Sequence, residues 1–145
     1  MAELTLLTNA AATLFMVGLI WFVQIVHYPL MSRVGRDSFP PYSKSHSRLT
    51  SFTVGPPMLA EAATTILLLV LRPAAIPLVA AVAGVLLLAA IWLSTALLQA
   101  PKHTALGNAF DRRQHRALVS TNWLRTAAWT ARGALVVWML WLTMS

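Results

Sequence analysis

The chain consists of long apolar runs separated by short polar stretches. The runs extend over approximately residues 4–30, 51–72, 76–100 and 115–144. Each matches or exceeds the roughly 20 apolar residues that cross the hydrocarbon core of a bilayer. Lipid offers the backbone no hydrogen-bond partners, so such runs are expected to be helical. The pattern predicts an all-α fold, an integral membrane antiparallel four-helix bundle that forms a single domain over residues 1–145.

The connections between the runs fit this arrangement. The stretch Arg72-Pro73-Ala74-Ala75 is too short for anything except an antiparallel hairpin between the second and third spans. Residues 40–50 are polar and predict a short interfacial helix that leads into the second span. Pro101 is expected to end the third span, because proline lacks a backbone N–H group.

Composition narrows the class of protein. Apolar residues make up 58% of the chain and charged residues 10%, against about 25% charged residues in a soluble domain. This excludes a disordered tail, a nucleic-acid module and a secreted disulfide scaffold. There is no cysteine, so disulfides, thiolate metal ligands and a cysteine nucleophile are excluded as well. Phosphate-binding glycine loops and the serine-hydrolase motif do not occur.

Charge predicts the orientation in the membrane. The chain has 11 Lys and Arg residues against 4 Asp and Glu. Four of the basic residues lie within residues 31–50 and four within 101–116, whereas the opposite side has only Arg72. Cytoplasmic loops are enriched in Lys and Arg. We therefore predict an inner or plasma membrane protein with both termini outside and two basic cytoplasmic loops.

Histidines provide the first candidate chemistry. All four lie beside loops that the antiparallel topology brings to the cytoplasmic end, namely His27, His46, His103 and His115. Histidine changes protonation near neutral pH and serves as a general base. Helix ends also tolerate histidine for purely structural reasons, so a single histidine there carries little information and the set of four carries more.

Charged residues inside the apolar runs provide the second candidate chemistry. Glu61 and Arg125 each lie about ten residues into their spans, at comparable depth. An unpaired charge there costs about 2.5–3.5 kcal/mol on insertion scales. We expect the two to form an ion pair inside the bundle, with Arg132 as a second candidate partner for Glu61.

Helical spacing predicts that polar side chains line a pocket. Three stripes are recognised by steps of three or four residues: Asn122, Arg125, Trp129 and Arg132 on the fourth span, Trp92, Thr95 and Gln99 on the third, and Gln24, His27 and Tyr28 on the first. Packed together, they would form one polar chamber that opens toward the cytoplasm. Such residues can instead act only as interhelical hydrogen-bond partners.

Two segments carry a likeness to a known family. Residues 100–106 read APKHTAL and follow the third span, and residues 122–126 read NWLRT early in the fourth. With the Pro29 end of the first span, they resemble the anthrone-oxygenase-like family of small four-helix integral membrane proteins. That family typically has Pro-x-Asn-x-x-Leu and Trp-Asn-x-x-Arg-Thr at these places. Here His103 replaces the usual asparagine, and no tryptophan precedes Asn122.

The resemblance implies oxidation of an anthrone to an anthraquinone by dioxygen, with no assigned cofactor, and gives Asn122, Arg125 and His103 as matching site positions. The hypothesis is a membrane oxidoreductase for a lipophilic aromatic or quinone-like molecule. His27 or His103 would be the base, and Arg125, supported by Glu61, would stabilise an oxyanion. The catalytic candidates are thus His27, His103, Arg125, Asn122 and Glu61, and the candidates for contacts to a bound molecule are Trp129, Gln24 and Arg132.

Two alternatives stay open at this point. A transition metal or haem could be held by His27, His46, His103 and Glu61, since imidazole and carboxylate suit such ions. No His-x-x-His or Glu-x-x-His spacing occurs, so the ligands would come from different helices. The other alternative is a non-catalytic role, either as a small subunit of a homo-oligomer or larger membrane complex or as a lipid- or quinone-binding helper. The subunit role requires the buried charges to face a protein partner, and no nucleic-acid partner is expected in either case.

Overall fold

The computed structural model describes all residues, 1–145, and consists of four long helices without strands. The helices are α1, Ala2–Met31; α2, Phe39–Leu71; α3, Leu78–Asn108; and α4, Arg112–Met144. Each is long and apolar enough to cross a membrane. The predicted all-α four-helix bundle is confirmed, and the four apolar helices indicate an integral membrane protein.

Two of the helices contain a π-helical turn shortly before a proline. In α1 the turn is Val23–His27 and Pro29 follows, and in α3 it is Thr95–Gln99 and Pro101 follows. Proline lacks an N–H group, and its ring clashes with the carbonyl group four residues earlier in a regular α-helix. A π-helical turn has wider hydrogen-bond spacing and accommodates the proline. Helix α3 therefore continues to Asn108, and the expectation that it ends at Pro101 is wrong.

Helix α2 is also longer than predicted. It begins at Phe39, so the polar stretch expected to form a separate interfacial helix is the first part of α2 itself. Pro40 lies in the first turn, where a missing N–H group has no effect on the helix. Pro56 and Pro57 lie inside the helix, below this polar part.

The α2–α3 connection is the predicted antiparallel hairpin. Helix α2 ends at Leu71 and α3 begins at Leu78. The Arg72 guanidinium donates hydrogen bonds to the carbonyl oxygens of Leu69, at 3.0 Å, and Ile76, at 3.2 Å. A cation at a helix C-terminus is favoured by the helix dipole, so Arg72 holds the turn as well as carrying charge.

The helices form a square bundle in which α1 packs against α2 and α4, and α3 packs against the same two neighbours. The core has three layers along the bundle axis. Leu6, Leu68, Ile76, Val136 and Met139 lie near the termini, Met16, Ile20, Met58, Ile91 and Trp129 lie in the middle, and Tyr28, Met31, Phe39, Leu106 and Leu118 lie at the end of the two long loops. Large apolar side chains cover the outside, where Val70 is 81% exposed. Such an exterior suits contact with lipid rather than water.

The π-helical turn in α3 changes which side chains face inward. Gln99 is buried, but Trp92 is 40% exposed. The expected stripe of Trp92, Thr95 and Gln99 crosses this turn, and the extra residue of a π-helical turn alters the angular spacing. Trp92 is therefore not part of a polar lining, contrary to the prediction from regular helical spacing.

Candidate functional site

The predicted inward stripe of α4 is confirmed, because Asn122, Arg125, Trp129 and Arg132 are all buried. They do not meet in one chamber. Arg125 lines a cavity near the loop end of the bundle, whereas Arg132 belongs to a separate polar cluster closer to the termini. The structure thus divides the expected polar chamber into two sites.

Glu61 pairs with Arg132, so the expected Glu61–Arg125 pair is wrong and the second candidate partner is the observed one. A carboxylate oxygen of Glu61 accepts a hydrogen bond from Nε of Arg132. The remaining guanidinium nitrogens donate to the Gly84 carbonyl oxygen and to the Thr65 hydroxyl. Space decides this pairing, since a Cβ atom on Gly84 would lie 3.2 Å from a guanidinium nitrogen of Arg132. The glycine on α3 makes room for Arg132.

Asn9 of α1 completes this cluster, and it was not identified from the sequence as a buried polar residue of interest. Its Nδ2 lies 3.1 Å from the Glu61 carbonyl oxygen and 2.9 and 3.0 Å from the hydroxyls of Thr64 and Thr65. A buried asparagine in an apolar run was the available signal. The cluster connects all four helices and pairs its two charges, although the second carboxylate oxygen of Glu61, Oε2, is buried without a hydrogen-bond partner. We interpret it as a structural lock, which removes Glu61 and Arg132 from the candidate site.

The main cavity has a volume of about 580 Å³ and lies between α2 and α3, with α1 behind it. Arg125 is its one lining residue from α4. Toward the bundle centre the walls are apolar, formed by Met16, Leu19, Ile20, Val54 and Met58, and toward the loop end they are polar, formed by Lys44, Ser47, Ser51, Thr104 and Asn108 among others. The cavity therefore offers an apolar inner part and a polar mouth to the same ligand.

Arg125 is a buried cation without a counter-ion. It is 9% exposed, and the only ion pair in the structure is the one between Glu61 and Arg132. One guanidinium nitrogen of Arg125 donates to Oδ1 of Asn122 at 3.2 Å, and Nε has no partner. A buried charge without a partner is strongly destabilising. The guanidinium is thus available to an anionic or strongly electron-rich oxygen atom of a ligand in the cavity.

Asn122 and Gln24 hold the Arg125 side chain from the side that faces away from the cavity. The Asn122 amide donates to Oε1 of Gln24 at 2.8 Å, and the Gln24 amide donates to the carbonyl oxygen of Val119 at 3.3 Å. Both side chains are buried and neither lines the cavity. The sequence suggested a catalytic role for Asn122 and a contact to a bound molecule for Gln24. In the structure, both instead hold the Arg125 side chain in position.

Tyr28 and His103 form a pair on the cavity wall. The Tyr28 hydroxyl lies 2.9 Å from Nε2 of His103, and Nδ1 of His103 is buried without a partner. Tyr28 is also an electrostatic neighbour of Arg125. The sequence placed Tyr28 on the inward face of α1 but not among the catalytic candidates. The structure places it between the candidate base and the cation.

Three of the four histidines form a group, while the fourth lies apart. The rings of His27 and His46 stack with centroids 4.4 Å apart, and His46 lies 5.8 Å from the ring of His103. His115 instead donates from Nε2 to the Tyr28 carbonyl oxygen at 2.8 Å. That carbonyl belongs to the last turn of α1, where carbonyl oxygens lack partners within the helix.

The residues considered for a metal site do not assemble as one. No three His, Asp or Glu side chains are arranged to hold a metal ion. The rings of His27 and His46 present their faces to each other rather than converging nitrogen atoms, and Glu61 is held by Arg132. Trp129, a further candidate contact, is fully buried in the middle layer of the core and packs there.

The comparisons with known proteins add no assignment. No family model, no curated protein and no solved structure matches this chain. The geometry of the cavity and its lining residues is therefore the basis for any functional conclusion about this integral membrane protein.

Proposed function

We propose that the protein is an integral membrane oxidoreductase that oxidises a lipophilic aromatic, anthrone- or quinone-like molecule in the cavity between α2 and α3. The observation that carries the proposal is the uncompensated guanidinium of Arg125 at the boundary between the apolar and polar parts of the cavity. A ligand that satisfies this site has an apolar body and an oxygen atom able to bear negative charge.

The cavity dimensions support such a ligand. A volume of about 580 Å³ falls within the roughly 300–1,000 Å³ of small-molecule sites. A flat ring system can contact Met16, Ile20 and Met58, while its oxygen reaches Arg125. Burial of the rings supplies affinity, and the guanidinium supplies orientation.

The Tyr28–His103 pair, next to Arg125, supplies a base. Both residues line the cavity, and Nε2 of His103 accepts the proton of the Tyr28 hydroxyl at 2.9 Å, while the hydroxyl oxygen takes a proton from the ligand. Removal of an acidic C–H proton leaves an enolate, whose oxygen Arg125 stabilises. Dioxygen, the co-substrate, adds to the electron-rich carbon to give a hydroperoxide. Loss of water then gives the ketone, so that one CH₂ group and one O₂ become one C=O group and one H₂O.

The direction of the buried charges also favours a binding site over a docking surface. Glu61, Arg125 and Arg132 all face the bundle interior. A subunit that used these charges to contact a protein partner would present them on the outside. This geometry supports the oxidoreductase hypothesis over the alternative in which the charges recognise another subunit.

The test is turnover of an anthrone by the purified full chain, followed by quinone absorbance and oxygen uptake above the rate without protein. We expect Arg125→Gln to lower kcat by about 10²–10³, the usual effect of removing one oxyanion-stabilising donor. Arg125→Lys should retain part of the activity, because it keeps the charge but not the planar fork. His103→Ala should also lose activity.

A matched control is Leu97→Ala, since Leu97 lies on the same helix as His103 but faces outward. Its rate should equal that of the parent. A second measurement separates binding from chemistry: a polycyclic aromatic carboxylate should bind more tightly than its neutral amide, and Arg125→Gln should remove the difference. Absence of turnover in the parent contradicts the oxidase, and equal binding of acid and amide contradicts the role of Arg125.

A further inference from the structure

A second groove lies on the outside of the bundle, at the loop end, where α1 meets the first turns of α4. Its volume is about 630 Å³. Pro29 and Ser32 form the wall from α1, and the wall from α4 includes Arg112, Arg116 and Trp123. None of its residues lines the main cavity, so the groove is a separate feature of the molecule.

The polar end of the groove carries two free cations. Arg112 and Arg116 are exposed and lie one helical turn apart, on the same face of α4. Neither forms an ion pair. The nearest acid in the chain, Asp111, uses a carboxylate oxygen to accept the backbone N–H of Arg113 at 2.7 Å as the N-cap of α4. Both guanidinium groups are therefore available to an anion in the groove.

The other end of the groove has Trp123 in its wall and Trp21 next to it. Trp123 is 47% exposed and meets the ring of Trp21 edge to face, with centroids 5.8 Å apart. The Trp21 indole N–H donates to the Thr130 hydroxyl at 3.0 Å, which fixes the ring. Tryptophan is typical of the boundary between headgroups and hydrocarbon. The pair therefore marks the level at which acyl chains begin.

The spacing of the two ends is slightly larger than the polar layer of a bilayer. Arg116 and Trp123 are seven residues apart, which is roughly 10 Å along a helix. The polar layer on each side of the hydrocarbon core is about 5–8 Å thick. A phosphate group bound at the arginines thus leaves its acyl chains beside the tryptophans.

We infer that this groove binds an anionic phospholipid, with the phosphate between Arg112 and Arg116 and an acyl chain along Trp21 and Trp123. Charge complementarity selects an anionic lipid over a zwitterionic one, because the groove has two cations and no acidic lining residue. The inference is independent of the proposed oxidation, since it uses a different surface of the bundle.

The groove also touches the wall of the main cavity. His115 forms part of its floor and donates to the Tyr28 carbonyl oxygen, while the Tyr28 side chain lines the cavity. A lipid bound in the groove therefore lies close to the backbone of Tyr28, whose side chain forms the pair with His103. The lipid supports this wall of the cavity from the outside of the bundle.

The test is a titration of the purified full chain in detergent with phosphatidylglycerol or phosphatidylcholine, with bound lipid counted by native mass spectrometry. The parent should bind phosphatidylglycerol more tightly. The double variant R112Q/R116Q should lose about 25-fold in affinity, because each basic residue near a membrane surface contributes about fivefold. Thermal unfolding of the lipid-free variant checks that it is folded.

The matched control is R33Q/R36Q, which removes the same charge from exposed residues at the same end of the chain but outside the groove. Its affinity should stay close to that of the parent. Equal loss in both double variants would show a general charge effect and overturn the site. Equal binding of the two lipids, or full competition by millimolar inorganic phosphate, would overturn recognition of an anionic lipid.

Discussion

Arg125 and Arg132 show how residues of one type on one helix face acquire different roles. They are seven residues apart on α4 and both are buried. Arg132 faces Glu61 and the space left by Gly84, so its charge is neutralised. Arg125 faces the cavity, with Asn122 as a hydrogen-bond partner and Tyr28 beside it, and has no carboxylate partner. One cation stabilises the bundle, and the other is left for a ligand.

At this scale we predict strong coupling between Glu61 and Arg132. Glu61→Ala should lower the free energy of unfolding by about 3–5 kcal/mol, because it leaves Arg132 buried without a counter-ion. The double variant Glu61→Leu, Arg132→Leu should be less destabilised than Glu61→Ala, since no buried charge remains. Unfolding curves of Glu61→Leu, of Arg132→Leu and of the double variant in mixed micelles measure the interaction energy. Additive effects of the two substitutions would mean that the ion pair does not lock the helices.

At the scale of helices, the π-helical turns and one close approach set the geometry of the site. The turn Val23–His27 directly precedes Tyr28, and the turn Thr95–Gln99 precedes His103 by one helical turn. Together they bring two side chains from different helices to within 2.9 Å. Helices α1 and α4 approach closely at Gly133, where a Cβ atom would lie 3.0 Å from a methyl group of Val17.

We predict that Gly133→Ala destabilises the bundle by about 1–3 kcal/mol, the usual effect of overpacking. Val17 is β-branched and cannot easily rotate away, so α1 and α4 must move apart. Gly18→Ala is the matched control on α1, because a Cβ atom added there would have no neighbour within 4 Å. That variant should be neutral or more stable by up to about 1 kcal/mol. Thermal unfolding of both variants provides the comparison, and equal melting temperatures would contradict the close packing at Gly133.

At the scale of the whole molecule, the dominant feature is the concentration of charge at one end of the bundle. Eight of the Lys and Arg residues lie in residues 31–50 and 101–116, which form or flank the two long connections, and only Arg72 lies at the hairpin on the opposite side. The polar part of the candidate cavity, which includes Lys44 and Asn108, lies at the same basic end. The orientation predicted from these charges therefore also decides from which side a water-soluble molecule reaches the cavity mouth.

We predict that both termini lie on the periplasmic or extracellular side of the membrane and that both basic connections lie in the cytoplasm. The chain contains no cysteine, so a single introduced cysteine reports one position. Ser145→Cys should react with a membrane-impermeant maleimide on intact cells, whereas Ser45→Cys should react only after permeabilisation. Both serines are exposed in the structure. The reverse labelling pattern would show that the charge rule fails for this protein.

Local sequence patterns were enough to predict the number of helices, their antiparallel order, the inward face of α4 and the convergence of the histidines at one end. These properties follow from the length and periodicity of apolar runs, which act locally along the chain. The tertiary structure alone decided that Glu61 pairs with Arg132, that Trp92 faces outward and that α3 passes through Pro101. Each of these depends on atoms far apart in sequence or on a single extra residue in a helical turn. The lack of a carboxylate partner for Arg125 also could not be predicted from the sequence. It depends on which side chains from the other helices lie next to Arg125 in the folded bundle.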